Sequence, residues 1–314
     1  MSGPEPSLHA LRETLAGDRP VILDGALATE LEARGLDLSD PLWSARLLID
    51  DPAAIEDVHA AYLAAGARVV ITASYQASAE GFAALGVDAA GAARLLQRSV
   101  RLAQRARERA GAAAAGALVA ASVGPYGAVL AGGQEYTGDY GPTTDQELED
   151  FHERRLRALI AAGPDCIACE TIPRAGEAAV LVRVLDRLGA PDAWISFACR
   201  DGRTTAHGEP IEDAVAQATL SRRVVAVGVN CTAPEHVAEL LERAARVTDL
   251  PLVAYPNSGR AWDAGARAFT GGGAASIPEG DVRSWVAAGA RLVGGCCGLG
   301  PGAIRGIAQV LHAP

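Results

Sequence analysis

Residues 290–298 read Ala-Arg-Leu-Val-Gly-Gly-Cys-Cys-Gly, a short apolar run that stops at two adjacent cysteines between glycines. Neighbouring side chains on a strand point to opposite faces of the sheet. The sulfurs of Cys296 and Cys297 can therefore approach one point only if the backbone bends after the apolar run, and the glycines permit that bend. The stretch predicts a strand that ends in two converging thiols.

Similar apolar runs recur along the chain, each followed by a longer segment of helical periodicity. The predicted strands are 21–24, 69–73, 118–123, 166–170, 194–198, 224–230, 252–255 and 291–295. The predicted helices are 52–65, 88–111, 145–162, 174–188, 210–221, 234–247, 279–288 and 301–311. These units predict an α/β fold, a parallel eight-stranded (β/α)8 TIM barrel, as a single domain over residues 1–314. A doubly wound open sheet is the alternative, but residues 24–28 hold one glycine where a dinucleotide-binding turn needs several.

The composition argues against several classes of partner. The chain carries 28 basic and 38 acidic side chains, a net charge of −10, which is unfavourable for binding nucleic acid or an anionic membrane surface. Residues 1–20 lack the basic start and apolar core of a signal peptide, and no apolar stretch is long enough to span a bilayer. We therefore expect a cytoplasmic protein. Its six cysteines are then core, metal-binding or redox residues rather than a disulfide framework.

Polar and sulfur-containing side chains recur where each apolar run stops, at the strand ends that carry the chemistry in a TIM barrel. They are Asp24, Thr72, Ser74, Ser122, Glu170, Cys199, Asn230, Cys231, Tyr255, Asn257, Cys296 and Cys297. The sixth and eighth strands are close enough on a closed barrel for Cys231 to meet the cysteine pair. The alternative for Cys231 is a small core residue, since free cysteine is among the most buried residue types.

Three thiolates with one open position are typical of a catalytic zinc site. A coordinating thiol is deprotonated, so such a site could hold a substrate sulfur as thiolate. Three thiolates also weaken the metal as a Lewis acid. This favours alkyl transfer to sulfur over hydrolysis, for which His or carboxylate ligands are more usual.

The carboxylates of Asp24 and Glu170 follow apolar runs and are expected to point into the mouth of the barrel. Buried carboxylates need a cation or several hydrogen-bond donors. A substrate ammonium group would supply the cation, and an internal arginine or lysine is the alternative. Cys166 and Cys169 form a C-x-x-C pattern inside a predicted strand, where residues three apart face opposite sides, so both are predicted core cysteines. Cys199 stays unassigned.

Eight stretches in order resemble the homocysteine S-methyltransferases, particularly those that use S-methylmethionine or S-adenosylmethionine. They are 24–32 (DGALATELE), 72–78 (TASYQAS), 122–127 (SVGPYG), 135–140 (EYTGDY), 169–173 (CETIP), 228–234 (GVNCTAP), 255–259 (YPNSG) and 294–298 (GGCCG). Each alone is weak evidence, whereas the ordered set is specific for the family.

The resemblance implies that Cys231, Cys296 and Cys297 hold zinc and that homocysteine binds the metal through its sulfur. It implies that Asp24 and Glu170 hold the amino-acid end of homocysteine. The thiolate would attack the methyl group of a sulfonium donor and give methionine, with no further catalytic residue.

The resemblance also bears on two residues near the expected donor. Trp43 resembles the family's aromatic residue near the donor pocket, with a packing role on the rim as its alternative. Gln76 stands where betaine-dependent relatives carry tyrosine, which implies contact with the open metal position. Selenocysteine or another small thiol could replace homocysteine without changing the ligands. A non-catalytic zinc- or redox-responsive protein is the alternative from another class.

Overall fold

The structure is a computed structural model that describes residues 8–38, 42–259, 261–263, 268–270 and 273–312. For Trp43 and for both three-residue segments between 261 and 270, only the backbone is described. None of the helices in these ranges combines the length and apolarity that a bilayer-spanning segment requires.

Eight parallel strands form one sheet that curves into a barrel, in the order β1-β10-β7-β6-β5-β4-β3-β2. Their bounds are β1 (Val21–Ile22), β2 (Val69–Ile71), β3 (Leu118–Val123), β4 (Cys166–Ile172), β5 (Ala193–Phe197), β6 (Val224–Asn230), β7 (Leu252–Tyr255) and β10 (Ala290–Val293). The ends of the sheet meet where Leu23 pairs with Val69 and the amide of Asp24 donates to the Val69 carbonyl at 3.1 Å. The predicted TIM barrel is confirmed, and the open sheet is excluded.

Helices separate the strands and cover the outside of the barrel. Their bounds are α1 (Ala10–Leu15), α2 (Leu27–Ala33), α3 (Leu47–Asp50), α4 (Pro52–Ala65), α5 (Ala79–Ala83), α6 (Ala89–Ala110), α7 (Tyr126–Leu130), α8 (Asp145–Ile160), α9 (Ala175–Leu188), α10 (Ile211–Ala218), α11 (Pro234–Ala244), α12 (Glu279–Ala287) and α13 (Pro301–His312). Short 3₁₀ helices span Trp43–Arg46, Gly111–Ala114 and Gln134–Tyr136. All eight predicted helices are present, whereas α1, α2, α3, α5 and α7 were not predicted.

Local signals fix where the long helices begin. The Asp51 side chain accepts a hydrogen bond from the Ala54 amide, and Pro52 occupies the first turn of α4. Thr144 and Glu147 form a reciprocal capping box at the start of α8. These caps explain why the predicted and observed starts of both helices agree.

Side chains alternate between the barrel interior and the layer under the helices, as the strand period requires. Cys166 lies in the interior cluster with Trp194, whereas Cys169 lies in the outer cluster. Both are fully buried, which confirms them as core residues.

The helix α1 closes the base of the barrel. Leu11 and Leu15 pack into the interior cluster from below. The buried carboxylate of Asp192 accepts from the Arg12 amide at 3.1 Å and pairs with the Arg12 guanidinium and with His9 at 3.3 Å. Together these contacts fix α1 against the amino ends of the strands.

A two-stranded antiparallel hairpin follows β7 and was not predicted. Its strands are β8 (Ala261–Asp263) and β9 (Ala268–Thr270), with Trp262 opposite Phe269.

Candidate metal centre and substrate pocket

Cys231 is held in a backbone conformation that few side chains adopt. It follows the last residue of β6 with φ of 47°. Its amide donates to the Tyr255 carbonyl at 3.1 Å, and its carbonyl accepts from the Asn257 side chain at 3.1 Å. These two bonds to the neighbouring chain segment stabilise the turn that carries its sulfur.

The predicted bend after β10 is present. Gly294 runs so close to β1 that a Cβ at this position would lie 2.6 Å from the Leu23 Cβ. Gly298 has φ of 83°, and a Cβ there would lie 2.3 Å from the Ser258 Oγ. Between them, the Cys296 amide donates to the Pro256 carbonyl at 2.7 Å. The glycines therefore allow the cysteine pair to turn into the mouth of the barrel.

The sulfurs of Cys231, Cys296 and Cys297 converge as predicted. All three Sγ atoms lie within 4.8 Å of one another, and those of Cys231 and Cys297 are 3.6 Å apart. The hydroxyl of Tyr136 lies 3.5 Å from the Cys231 Sγ. Hydrogen bonds from Cys296 and then Cys297 lower the pKa of the Cys231 thiol well below its ordinary value.

This cluster can hold a metal ion. Within the described ranges it is the one group of three or more Cys, His, Asp or Glu side chains close enough to share an ion. Its all-thiol donor set is of the soft type that binds Zn²⁺.

Asp24 carries a buried carboxylate of which only one oxygen accepts a hydrogen bond in the described structure. One oxygen accepts from the Ile71 amide at 2.8 Å, and the other is buried without a hydrogen-bond partner in the described structure. Burial raises the pKa of Asp24 well above its ordinary value, and the nearby charge of Glu170 adds to the effect.

Glu170 is the second carboxylate of the pocket. It accepts hydrogen bonds from the Ser122 hydroxyl and, at 3.2 Å, from the Tyr255 hydroxyl. Burial raises its pKa to about 7 despite these bonds. Among the described residues, no arginine or histidine forms an ion pair with Asp24 or Glu170, so the predicted alternative of an internal cation is not observed there.

A polar layer inside the barrel supports Glu170. The Tyr255 hydroxyl lies 2.7 Å from the Ser196 Oγ, which donates to the Asn230 side chain at 2.8 Å. The same Asn230 oxygen accepts the Thr171 amide at 2.7 Å. Ser196 was not predicted as part of the site, although it follows Trp194 on the inward face of β5, where the strand period would have placed it.

Gln76 and Trp43 are the two remaining residues predicted for the site. The Gln76 side chain donates to the Ala128 carbonyl at 3.1 Å, and its amide oxygen is buried without a partner in the described structure. Trp43 begins a 3₁₀ helix, and its side chain lies outside what the structure describes.

Arg155, on α8, anchors the loops at the mouth and was not predicted. Its guanidinium is almost fully buried and donates to the carbonyls of Ser74, Tyr75 and Gly124 at 2.7–3.0 Å. The signal available was its position four residues after Phe151 on the apolar face of the helix.

Glu177, on α9, holds the adjacent loop. Its carboxylate accepts from the Tyr126 amide at 2.7 Å, from His152 at 2.9 Å and from the Tyr140 hydroxyl at 2.6 Å. This carboxylate is fully buried and, unlike Asp24 and Glu170, has a histidine partner.

Comparisons with known proteins agree with this site. A model of the family described as homocysteine S-methyltransferase matches residues 21–311. The homocysteine S-methyltransferase of Bacillus subtilis (strain 168) is 44% identical over 92% of this chain and 93% of its own length. The homocysteine S-methyltransferase of Escherichia coli (strain K12) is 45% identical over 95% of this chain and 97% of its own length.

A solved structure extends the similarity to the fold. The crystal structure of the homocysteine methyltransferase from Escherichia coli in its metallated form has a TM-score of 0.86 and 43% identity, over 96% of this chain and 99% of that one. This chain therefore belongs to the homocysteine S-methyltransferase family and is a methyltransferase.

Proposed function

We propose that this enzyme transfers a methyl group from a sulfonium donor, S-methylmethionine or S-adenosylmethionine, to the sulfur of L-homocysteine and so forms methionine. The observation that carries the proposal is the convergence of three thiols within 4.8 Å at a barrel mouth that also holds the buried carboxylates of Asp24 and Glu170, neither of which forms an ion pair with a described residue. Family membership favours this methyltransferase over a non-catalytic zinc- or redox-responsive protein.

We propose that Cys231, Cys296 and Cys297 hold one Zn²⁺ ion. Bound zinc would supply a thiolate-stabilising charge, so that the substrate sulfur is ionised at neutral pH, where a free thiol of pKa ~8.5 is only a few per cent thiolate. The all-thiol donor set supports zinc over Mg²⁺ or Ca²⁺, which prefer oxygen ligands.

Asp24 and Glu170 would bind the ammonium group of homocysteine. The unpartnered oxygen of Asp24 can accept a hydrogen bond from it, and both carboxylates gain the cation that their burial calls for. Ser122 and Tyr255 keep Glu170 oriented while this happens.

In the transfer step, the homocysteine thiolate forms a bond to the methyl carbon as the carbon–sulfur bond of the sulfonium breaks. The electron pair of that bond stays on the donor sulfur, which becomes a neutral thioether. The chain's contribution is to align the two sulfurs and to exclude water. We propose that Trp43 contacts the donor and that the free amide oxygen of Gln76 faces the open metal position.

Product analysis tests the proposal directly. We expect methionine from homocysteine with at least one of the two donors, zinc bound at about one ion per chain, and loss of activity after treatment with a chelator. Re-addition of Zn²⁺ should restore it. A competition assay between homocysteine and selenocysteine shows which of the two acceptors the enzyme methylates preferentially. A fully active preparation without metal would contradict the zinc proposal.

Replacing Glu170 with glutamine should change both stability and acceptor binding. The pKa of Glu170 is about 7 in the substrate-free fold and 4.5 without the fold. Between these values the folded state retains a proton that the unfolded state has lost. The Glu170 contribution to the free energy of unfolding is therefore complete at low pH and falls by up to about 1.4 kcal/mol per pH unit until it is lost above pH ~7.

Urea unfolding of the metal-free wild type and Glu170→Gln measures this effect, because glutamine does not titrate. The stability of the wild type relative to the variant should decrease from about pH 5 to pH 7. In steady-state assays the variant should raise KM for homocysteine about tenfold, in line with a lost charge-assisted hydrogen bond, while KM for the donor changes little. A pH-independent difference in stability would show that Glu170 is not protonated in the free enzyme.

A further inference from the structure

Glu135 is a third buried carboxylate at the mouth, and neither the predicted site nor the proposed roles account for it. It lies in the 3₁₀ helix Gln134–Tyr136, after α7. Only 8% of its surface is exposed, and its Oε2 is buried without a hydrogen-bond partner in the described structure. A carboxylate oxygen left in this state is costly unless a ligand compensates it.

The surroundings of Glu135 place it beside the metal centre. The next residue, Tyr136, brings its hydroxyl to 3.5 Å from the Cys231 Sγ. The negative charges of Glu135 and Cys231 each raise the pKa of Tyr75, after the larger effect of burial. Burial and then the charge of Cys231 raise the pKa of Glu135 itself to about 7. The segment that carries Glu135 therefore lies beside the region where the two substrate sulfurs must meet.

Buried carboxylates in the described structure fall into two groups. Glu177 and Asp192 each have a histidine or arginine partner. Asp24, Glu135 and Glu170 form no ion pair with any described residue, and the chain contains no lysine at all. The unpaired group is therefore confined to the substrate pocket, and a substrate cation is the compensating charge that each member lacks.

We propose that the carboxylate of Glu135 is the counter-charge that binds the sulfonium group of the methyl donor. The inference rests on the proposed function, in which the donor is a sulfonium compound. Asp24 and Glu170 are assigned to the acceptor's ammonium group, which leaves Glu135 for the donor.

Position favours the sulfonium charge over the donor's own ammonium group. The sulfonium must approach the acceptor sulfur, and Glu135 directly precedes Tyr136, whose hydroxyl lies 3.5 Å from the Cys231 Sγ. The ammonium group of S-methylmethionine is separated from its sulfur by three carbon atoms and so lies further out. A sulfonium group has no N–H or O–H to donate, so it is attracted by negative charge and not by a hydrogen bond. The Oε2 atom of Glu135, which has no hydrogen-bond partner in the described structure, suits such a cation.

The Glu135 carboxylate should affect binding of the donor more than the rate of methyl transfer. A carboxylate stabilises the positive sulfonium before transfer, and this attraction weakens as the charge is lost during transfer. Removing it should therefore raise KM for the donor, while kcat stays the same or rises.

The experiment compares wild type, Glu135→Gln and Glu135→Asp, with the exposed Glu242→Gln on α11 as the matched control. Calorimetry of the zinc-loaded enzymes measures the affinity for S-methylmethionine and for 2-amino-5-methylhexanoic acid. In this second compound a neutral carbon replaces the charged sulfur, while the ammonium and carboxylate groups are the same. The ratio of the two affinities reports recognition of the sulfonium charge alone. Steady-state assays with homocysteine and the donor that is active in the wild type give KM and kcat.

We expect Glu135→Gln to lose on the order of tenfold or more in affinity for S-methylmethionine and little for the neutral compound, with Glu135→Asp intermediate. KM for homocysteine should stay unchanged. Thermal unfolding should show Glu135→Gln folded and at least as stable as the wild type, since it removes an uncompensated buried charge.

Equal losses for both compounds would assign Glu135 to the donor's ammonium group and overturn the proposal, and so would unchanged affinity for both. Absence of methyl transfer by the wild type with either sulfonium donor would instead contradict the proposed function. The two failures are therefore distinguishable.

Discussion

Cys297→Ala should reduce methyl transfer at least about a hundredfold and abolish the zinc binding proposed for the three-cysteine centre. The Cys297 Sγ lies 3.6 Å from that of Cys231 and is buried, so alanine deletes one of three thiols without opening the site to solvent. Two remaining thiols are too few for the predicted zinc site, and the substrate sulfur would then ionise only to the extent of a free thiol. Elemental analysis and methionine formation measure the two losses.

Cys199→Ala is the matched control for this experiment. Cys199 is half-buried after β5, and its sulfur lies outside the three-thiol group. We expect this variant to keep its metal and most of its activity. If Cys297→Ala retained both the metal and wild-type activity, the three-cysteine centre would be wrong.

Arg155→Met should destabilise the fold by about 3 kcal/mol or more, because three carbonyls lose their hydrogen-bond donor and each unsatisfied group costs about 1–3 kcal/mol. Methionine matches much of the arginine stem, but the carbonyls of Ser74, Tyr75 and Gly124 lose their donors. Two of these carbonyls belong to the loop that carries Tyr75 and Gln76. We therefore expect a rise in KM together with the loss of stability.

Arg154→Met provides the comparison within the same helical turn. Arg154 is about half exposed and pairs with Glu80 on the surface. Such pairs contribute about 0–1 kcal/mol, so this variant should unfold at nearly the same urea concentration as the wild type. Similar stability losses for Arg154→Met and Arg155→Met would show that the buried contacts of Arg155 contribute little.

The sequence was sufficient for the barrel and for its sulfur centre because both follow from strand periodicity. Each apolar run identifies a strand, and the residue after the run marks the mouth. This places Cys231, Cys296 and Cys297 at one end of the fold without any knowledge of the loops. Cys166 and Cys169 were separated by the same two-residue period.

Features that depend on loops or on long-range pairing could not be derived in this way. The sequence around Arg155 resembles a solvated, charged face of a helix, although its i+4 spacing from Phe151 places it inward. Glu135 lies in a short 3₁₀ helix that has no periodicity to show its burial. The hairpin of β8 and β9 has only three residues on each strand, too few for alternation to be recognised.

The closed base of the barrel has a consequence for the order of events in catalysis. Leu11 and Leu15 of α1 and the apolar interior layer fill the barrel at the amino ends of the strands, so substrates reach the pocket from the carboxyl ends. In the proposed arrangement, Asp24 and Glu170 hold homocysteine at the strand ends, whereas Glu135 binds the donor from a segment that follows α7. The acceptor must then enter before the donor, and the newly formed methionine must leave after the spent donor. The kinetics should accordingly be those of an ordered sequential mechanism.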